Sequence, residues 1–303
     1  MNTSAQPIIA LCIATYKRPI LLQNCLNAIA KLLIPEQHRL ILIVVDNDQE
    51  KSARSIIQSL NISHLHNISY HVETSRGIAS ARNRLLKEAI NAQADFIAFI
   101  DDDEFPKSDW LLVLFNALLK YSAAVATGPV IALTEEGTAI STTEGKYKTG
   151  SMPRKVSTNN VLFKKKLIEQ DKLSFDLRLN FCGGEDFDFF EKSSAKGNSH
   201  VWTNEAIIFE AIVKERASNK YLFYRHFTGG INNVVQYRFR NGILKSWLHF
   251  LIKILGKTIG AMLSFIIFVV TFNQGRFEKS IVKFASVIGY ICGLFNIIVE
   301  RYK

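Results

Sequence analysis

The first strongly apolar run, residues 8–14, has no polar interruption and several β-branched side chains. That pattern predicts a strand buried on both faces. After Lys17-Arg18-Pro19, the residues Leu21, Leu22, Cys25, Ile29, Leu32 and Leu33 recur at helical spacing. Residues 40–45 and 96–100 read as further buried strands, 68–72 as a short strand, and 123–132 as strand-like. Residues 52–60, 78–92 and 110–121 read as helices between them. Such alternation predicts an α/β fold with a mainly parallel sheet and helices on both faces. Residues 134–158 are polar and predict a surface loop; helices are predicted around 165–171 and over 187–195, the latter stopped by Lys196-Gly197.

The last part of the chain has a different pattern. Asn241, Lys245, His249, Lys253 and Lys257 recur every four residues among Ile, Leu, Trp and Phe, as on an amphipathic helix. Residues 259–272 and 284–299 are then free of charge, with a polar break between. As helices these runs cover about 21 and 24 Å, short of the roughly 30 Å hydrocarbon core, so they predict two short apolar helices. The expected division is 1–230 as an α/β domain and 231–303 as a basic, membrane-associating helical tail.

Charge supports that division. The 303 residues carry a net charge of +10. Residues 1–213 hold 23 Lys and Arg against 24 Asp and Glu; residues 214–303 hold 14 against 3. A neutral body with a basic tail argues against nucleic acid as partner and for an anionic membrane surface. No helix-turn-helix, zinc-finger or RNA-recognition signature is present. The cysteines Cys12, Cys25, Cys182 and Cys292 form no CxxC pair and read as reduced thiols. Residues 1–7 lack a basic n-region and do not read as a secretory signal.

Polar residues gather where the apolar strands end: Tyr16-Lys17-Arg18, Asp46-Asn47-Asp48 and Asp101-Asp102-Asp103. Open α/β sheets bind ligands at those carboxyl ends. Neither GxGxxG nor a Walker motif follows the first strand, so neither a dinucleotide cofactor nor an ordinary P-loop is indicated. The Asp101-Asp102-Asp103 triplet reads either as a solvated acidic turn or as a hard-cation site for Mg²⁺ or Mn²⁺. Glu185-Asp186, after Gly183-Gly184, reads as an acidic helix N-terminus or as a positioned general base. Arg76 and Arg82 flank a helix start suited to a pyrophosphate, or form a solvated basic face. Tyr16 either stacks on a base or closes the core. His64, His66 and the Lys164-Lys165-Lys166 run are expected at the surface.

In order along the chain, Ala14-Thr15-Tyr16-Lys17-Arg18-Pro19, Val45-Asp46-Asn47-Asp48, Gly77 with Ala81-Arg82-Asn83, Phe99-Ile100-Asp101-Asp102-Asp103-Glu104 with Pro106, Gly128-Pro129, Asn159-Asn160 and Gly183-Gly184-Glu185-Asp186 resemble the family 2 glycosyltransferases. The resemblance is greatest to the bacterial exopolysaccharide subgroup that includes the succinoglycan glucosyltransferases, and it covers roughly residues 8–230. It implies a GT-A fold, an inverting mechanism, a nucleotide-sugar donor with UDP-glucose as first choice, and Mn²⁺ or Mg²⁺ as cofactor. By position it places Thr15 and Tyr16 at the nucleotide, with Tyr16 stacked on the base. Asp46, Asn47 or Asp48 would hydrogen-bond that base, a place where the commoner Asp-Asp pair is altered. Arg82 would face the pyrophosphate, Asp101 and Asp102 the ribose, and Asp103, with Asp101, the metal. Asp186 would be the base and Glu185 would orient the acceptor. The Gln-x-x-Arg-Trp motif of processive synthases does not follow, which implies single additions. The implied acceptor is a saccharide, as on a polyprenyl diphosphate, at the cytoplasmic face of the bacterial inner membrane; the tail reads as lying in the interface, as a helical hairpin anchor, or as a helical oligomer interface. Two other classes remain open: a non-catalytic nucleotide-sugar-binding protein, and a membrane-surface scaffold acting through the basic tail.

Overall fold

The computed structural model describes residues 6–134, 137–181, 183–211, 219–297 and 299; Cys182 lies outside them. The chain forms two compact units, Met1–Asn180 with Glu185–Ala211, and Phe181–Gly184 with Ile212–Lys303.

In the first unit, β1 (Ile8–Thr15), β2 (Arg39–Asp46) and β3 (Leu65–Val72) lie parallel, and β4 (Phe96–Phe99) joins β1 on the other side, also parallel. The two-sided burial predicted for the central strands is direct. Ile9, Leu11 and Ile13 enter one core with Leu40, Leu42 and Val44. Ala10 and Cys12 enter the opposite core with Ile41, Ile43 and Val45. Successive side chains of a strand alternate, so each face feeds a separate helical layer. The helices α1 (Pro19–Ile29) and α4 (Trp110–Lys120) cover the first face, and α3 (Ile78–Asn91) covers the second. The short α2 is Arg54–Gln58.

The expected strand 123–132 is two strands in two sheets. β6 (Val125–Thr127) stays in the main sheet; β7 (Val130–Leu133) enters a second sheet of order β5-β11-β7-β8. The break is Gly128-Pro129, where proline lacks the amide a central strand needs. A Cβ on Gly128 would lie 2.3 Å from the Ala206 carbonyl, so the bend closes against backbone. β5 is Glu104–Pro106, β8 Ala139–Thr142 and β11 Ile208–Ala211. β8 lies inside the expected loop 134–158 and pairs with β7.

The main sheet is completed by β9 (Val161–Lys164), antiparallel between β4 and β6, and β10 (His200–Trp202) at the edge. The order is β10-β6-β9-β4-β1-β2-β3. α5 (Lys166–Glu169) and α6 (Glu185–Ala195) follow. Lys164 therefore ends a strand rather than starting a helix, and Lys165 pairs with Asp95 at 3.0 Å. His66 is exposed as expected, whereas His64 is half-buried. Cys12 and Cys25 are buried free thiols, and Cys292 is a half-buried one.

The second unit contains α7 (Asn219–Asn241), α8 (Ile243–Thr271) and α9 (Gln274–Leu294). α7 runs through residue 230. The Lys-bearing stripe and the first apolar run, expected as separate helices, are one helix, because no breaker stands between Lys257 and Ile259. At the helical rise α8 is about 43 Å long. Asn273 caps α9, its side chain accepting from the Arg276 amide at 3.2 Å. α7 and α9 meet backbone to backbone at Gly230 and Gly289, whose Cβ would lie 2.1 Å from the Phe227 carbonyl. Val234, Phe250, Tyr290 and Leu294 form the core of this unit.

Candidate active site

Parallel pairing of β1 with β4 brings the Thr15 end of one beside the acidic turn that follows the other. The Thr15 hydroxyl donates to Asp102 at 2.7 Å. Arg18 Nη1 lies 3.3 Å from both Asp102 and Asp103. Burial pushes the Asp102 carboxyl up to about 6, against the pull of Arg18 and the Thr15 hydrogen bond. Asp103 is buried. Glu104 is buried more completely; desolvation raises it well above the ordinary carboxylate range, with Asp101 adding to the effect. Its two oxygens accept from the Asp101 amide at 2.9 Å and the Asn159 side chain at 3.0 Å. Asp101, thus held by its backbone, keeps a side chain that is 41% exposed.

Arg82, buried on α3, ties this turn to the start of α6. It donates to Glu185 through Nη1 and reaches Asp101 at 3.3 Å through Nη2. Its guanidinium also lies 5.9 Å from the Phe175 ring centroid. Glu185 is buried, and its second oxygen has no partner among the described residues. Desolvation raises the Glu185 carboxyl, and Arg82 opposes that rise. The neighbouring Asp186 is half-buried and accepts from the Phe187 amide at 2.8 Å. Its carboxyl is raised by desolvation and lowered by Arg82 in the same way.

At the end of β2 the three candidates separate. Asp46 is fully buried and accepts from Asp48 N, Ala53 N and the Tyr70 hydroxyl, so it organises the turn into α2. Asn47 donates to the Glu73 and Ser75 carbonyls and accepts from Gly77 N at 2.7 Å, which fixes the segment leading into α3. Asp48 accepts from Glu50 N through Oδ1; Oδ2 makes no hydrogen bond among the described residues. Asn180 holds the same segment from the other side, through the Arg76 carbonyl, Ser80 N and Ser80 Oγ. The half-buried Tyr16 ring has Lys17 Nζ 5.4 Å and the Arg76 guanidinium 5.8 Å from its centroid.

Thr15, Arg82, Asp101, Asp102, Asp103, Glu185 and Asp186 are thus brought into one network, whereas Asp46 and Asn47 work within the scaffold. Four residues outside the sequence-based set belong to the arrangement: Arg18, Glu104, Asn159 and Asn180. The first three stand in motifs already visible in the chain; nothing local marks Asn180. The donor set is carboxylate oxygen, with two guanidiniums facing six carboxylates. That surplus of negative charge suits a hard divalent cation shared with substrate phosphates. Among the described residues no three His, Cys, Asp or Glu side chains are gathered as a ready metal cage.

The glycosyl transferase family 2 profile matches residues 10–178, which include this acidic turn and the α3 arginine. Over 96% of its length the chain is 31% identical to succinoglycan biosynthesis protein ExoM of Rhizobium meliloti (strain 1021), covering 94% of that protein. The chain belongs to glycosyl transferase family 2. As a member of that family it has the GT-A fold. It superimposes on residues 1–349 of S. aureus TarS with a TM-score of 0.57 at 14% identity, covering 92% of this chain and 90% of that one. Of the longer TarS chain it spans only 39%. With the mannosyltransferase PcManGT of Pyrobaculum calidifontis, solved with GDP-Man and Mn²⁺, the TM-score is 0.64 at 16% identity, covering 96% and 88% of the two chains. These likenesses establish the architecture of the family 2 transferase.

Proposed function

We propose that this glycosyltransferase moves a hexose from a nucleotide sugar to a saccharide hydroxyl with inversion, in assembly of a bacterial surface or exopolysaccharide. The observation that carries the proposal is the Arg82 bridge, which holds Asp101 of the acidic turn and Glu185, the neighbour of Asp186, on one guanidinium. A base, a cation and a diphosphate-facing acidic turn are the parts such a displacement needs.

In this reading Tyr16 stacks on the nucleobase and Asp48, with an uncommitted carboxylate oxygen, hydrogen-bonds it. Thr15 sets the Asp102 carboxylate near the ribose. Asp186 takes the proton from the acceptor hydroxyl as its oxygen attacks the anomeric carbon from the side opposite the diphosphate. Glu185 orients that hydroxyl, and Arg82 stabilises charge on the departing diphosphate. Asp103 and Asp101 would hold Mn²⁺ or Mg²⁺, which when bound supplies further positive charge to the leaving group. UDP-glucose is the first donor to test, then UDP-galactose and UDP-N-acetylhexosamines. TarS complexes with UDP and UDP-GlcNAc, and the PcManGT complex, support a nucleotide-sugar donor. The succinoglycan role in the name of the R. meliloti relative supports the pathway class. The acceptor is a saccharide carried on a polyprenyl diphosphate, at the cytoplasmic face of the inner membrane, and residues 231–303 keep the enzyme there.

The test is a donor screen on purified full-length protein with Mn²⁺, reading UDP release and product on a lipid-linked acceptor. Asp186→Asn is expected to bind donor normally and to lose transfer by a factor on the order of 10²–10⁴. Near-normal turnover by that variant would exclude Asp186 as the base. Donor binding with neither transfer nor hydrolysis would instead make the chain a nucleotide-sugar-binding protein.

A further inference from the structure

The length of α8 alone permits a membrane span: its most apolar 18-residue window has a mean hydropathy of 2.0. Only 11% of that window is buried, so α8 is not the core helix of a soluble bundle either. Which surface is bare decides between lying and spanning. Leu244, Leu248, Leu251, Ile259, Ile266 and Val270 are all exposed, Leu244 at 86% and Val270 at 75%. At about 100° per residue these positions fall within roughly a third of the helix circumference, from one end of α8 to the other, and past residue 262 the exposed Leu263, Phe265 and Ile267 widen the bare face to about half. Ser246, Phe250, Ala261 and Ser264 are buried on the opposite side.

That opposite side is fastened along its length. The His249 ring stacks on Tyr237 of α7 at 4.2 Å between centroids, and Phe250 meets Tyr290 of α9 at 4.9 Å. Lys283 of α9 donates to the Gly260 carbonyl at 2.9 Å and to Ser264 Oγ at 3.1 Å. Near the end of α8, Phe268 meets Phe277 at 4.9 Å. The partners cannot follow α8 through hydrocarbon. α7 carries Lys220, Arg225, Arg238 and Arg240, and the first ten residues of α9 carry Arg276, Glu278, Lys279 and Lys283. Each charge at the bilayer centre costs about 2.5 kcal/mol or more. Spanning would carry Lys283 of α9, held against Gly260 and Ser264 near mid-helix, and Lys253 and Lys257 of α8 itself to hydrocarbon depth, whereas lying in the plane leaves these contacts intact.

We infer that α8 is an in-plane membrane helix that docks its full-length apolar stripe into one leaflet of an anionic bilayer, without crossing it. The inference rests on the membrane-facing reading proposed above and specifies its geometry. The surplus of 14 basic over 3 acidic residues in 214–303 matches an anionic leaflet. Lys253 and Lys257, however, lie over the Phe250 and Tyr290 rings, off the stripe. Apolar contact therefore carries most of the affinity, and binding survives salt.

The test uses full-length protein in which Cys182 and Cys292 are replaced by Ser, carrying one environment-sensitive label at Leu248→Cys, Ile259→Cys or Ile266→Cys. It is added to preformed vesicles of phosphatidylethanolamine and phosphatidylglycerol. All three labels are expected to report the same shallow depth to lipid-borne quenchers, at low salt and at about 0.5 M salt. A label at Gly275→Cys is expected to react fully with an impermeant maleimide added outside. A graded depth, with Ile259→Cys deepest and Gly275→Cys protected until the vesicles are opened, would overturn the in-plane geometry while keeping the membrane reading. Failure to float with vesicles, with Ile259→Cys cross-linking between copies, would overturn both and assign the stripe to a second copy of the chain.

Discussion

Arg82 on α3 shares one guanidinium between Glu185, at the start of α6, and Asp101, in the turn after β4. Its charge lowers both Glu185 and Asp186 against the rise that burial imposes. Removing it raises both carboxyls further. With Asp186 as the base, the rate grows as that group loses its proton. The acid limb of kcat/KM in Arg82→Met is therefore expected at higher pH than in the parent enzyme, with a loss of about 10²-fold at the plateau. A pH–rate profile checks it, and an unmoved limb would detach Arg82 from the base.

Arg18 contacts Asp102 and Asp103 with a side chain that is 43% exposed. A half-exposed pair is weak, worth about 0.2–1 kcal/mol. Arg18→Gln is expected to tighten Mn²⁺ binding to the donor-free enzyme by about two- to fivefold, because one competing charge leaves Asp103. Electron paramagnetic resonance titration of free Mn²⁺ reads this without turnover. EDTA is expected to abolish transfer, and Asp103→Asn to raise the Mn²⁺ needed for half-maximal rate.

Gly77 precedes α3 with φ of +117°, and a Cβ there would lie 2.2–2.5 Å from the Asn180 side chain. Gly77→Ala combines a strained backbone with displacement of a residue that makes three hydrogen bonds. A loss of about 1–3 kcal/mol in unfolding free energy is expected, together with weaker donor binding. Urea denaturation and calorimetry with UDP measure the two effects separately.

His200 lies buried in β10, 3.1 Å from the Ser193 hydroxyl, and burial lowers its pKa to about 4. The unfolded chain binds this proton near pH 6.5, so between about pH 6.5 and 4 it holds more protons than the folded one. Stability is then complete above about pH 6.5 and falls as the pH drops through that window, by about 2 kcal/mol at pH 5. His200→Gln is expected to flatten this dependence. Denaturant midpoints of both proteins at pH 7 and pH 5 decide it.

The central strands were legible because β1, β2 and β4 are buried on both faces and written as unbroken apolar runs. β5, β9, β10 and β11 were not, because three or four residues carry no usable period and their pairing partners are distant in sequence. Similarly, the acidic turn and Glu185-Asp186 are local patterns, each readable from a few adjacent residues. The contact that unites them spans 103 positions between Arg82 and Glu185 and becomes visible only in the fold. Asp46 has a part its place at a strand end does not announce: Ala53 N, Asp48 N and Tyr70 OH donate to its carboxylate and fix the turn into α2. Such internal turns look the same in sequence as a binding loop.

Asn159 and Asn160 stand side by side just before β9. Asn159 steadies Glu104 and, through it, the Asp101 amide. Asn160 accepts from Trp110 Nε1 and donates to the Pro129 and Ala206 carbonyls, each at 2.8 Å. Two identical side chains thus have different duties because consecutive positions of the turn that enters β9 present them to different partners. A slip of one residue in the entry to β9 would leave the dipeptide's composition intact while carrying both amides off their partners. The acidic turn would lose its brace at the same moment as the β6–β7 bend loses its clamp.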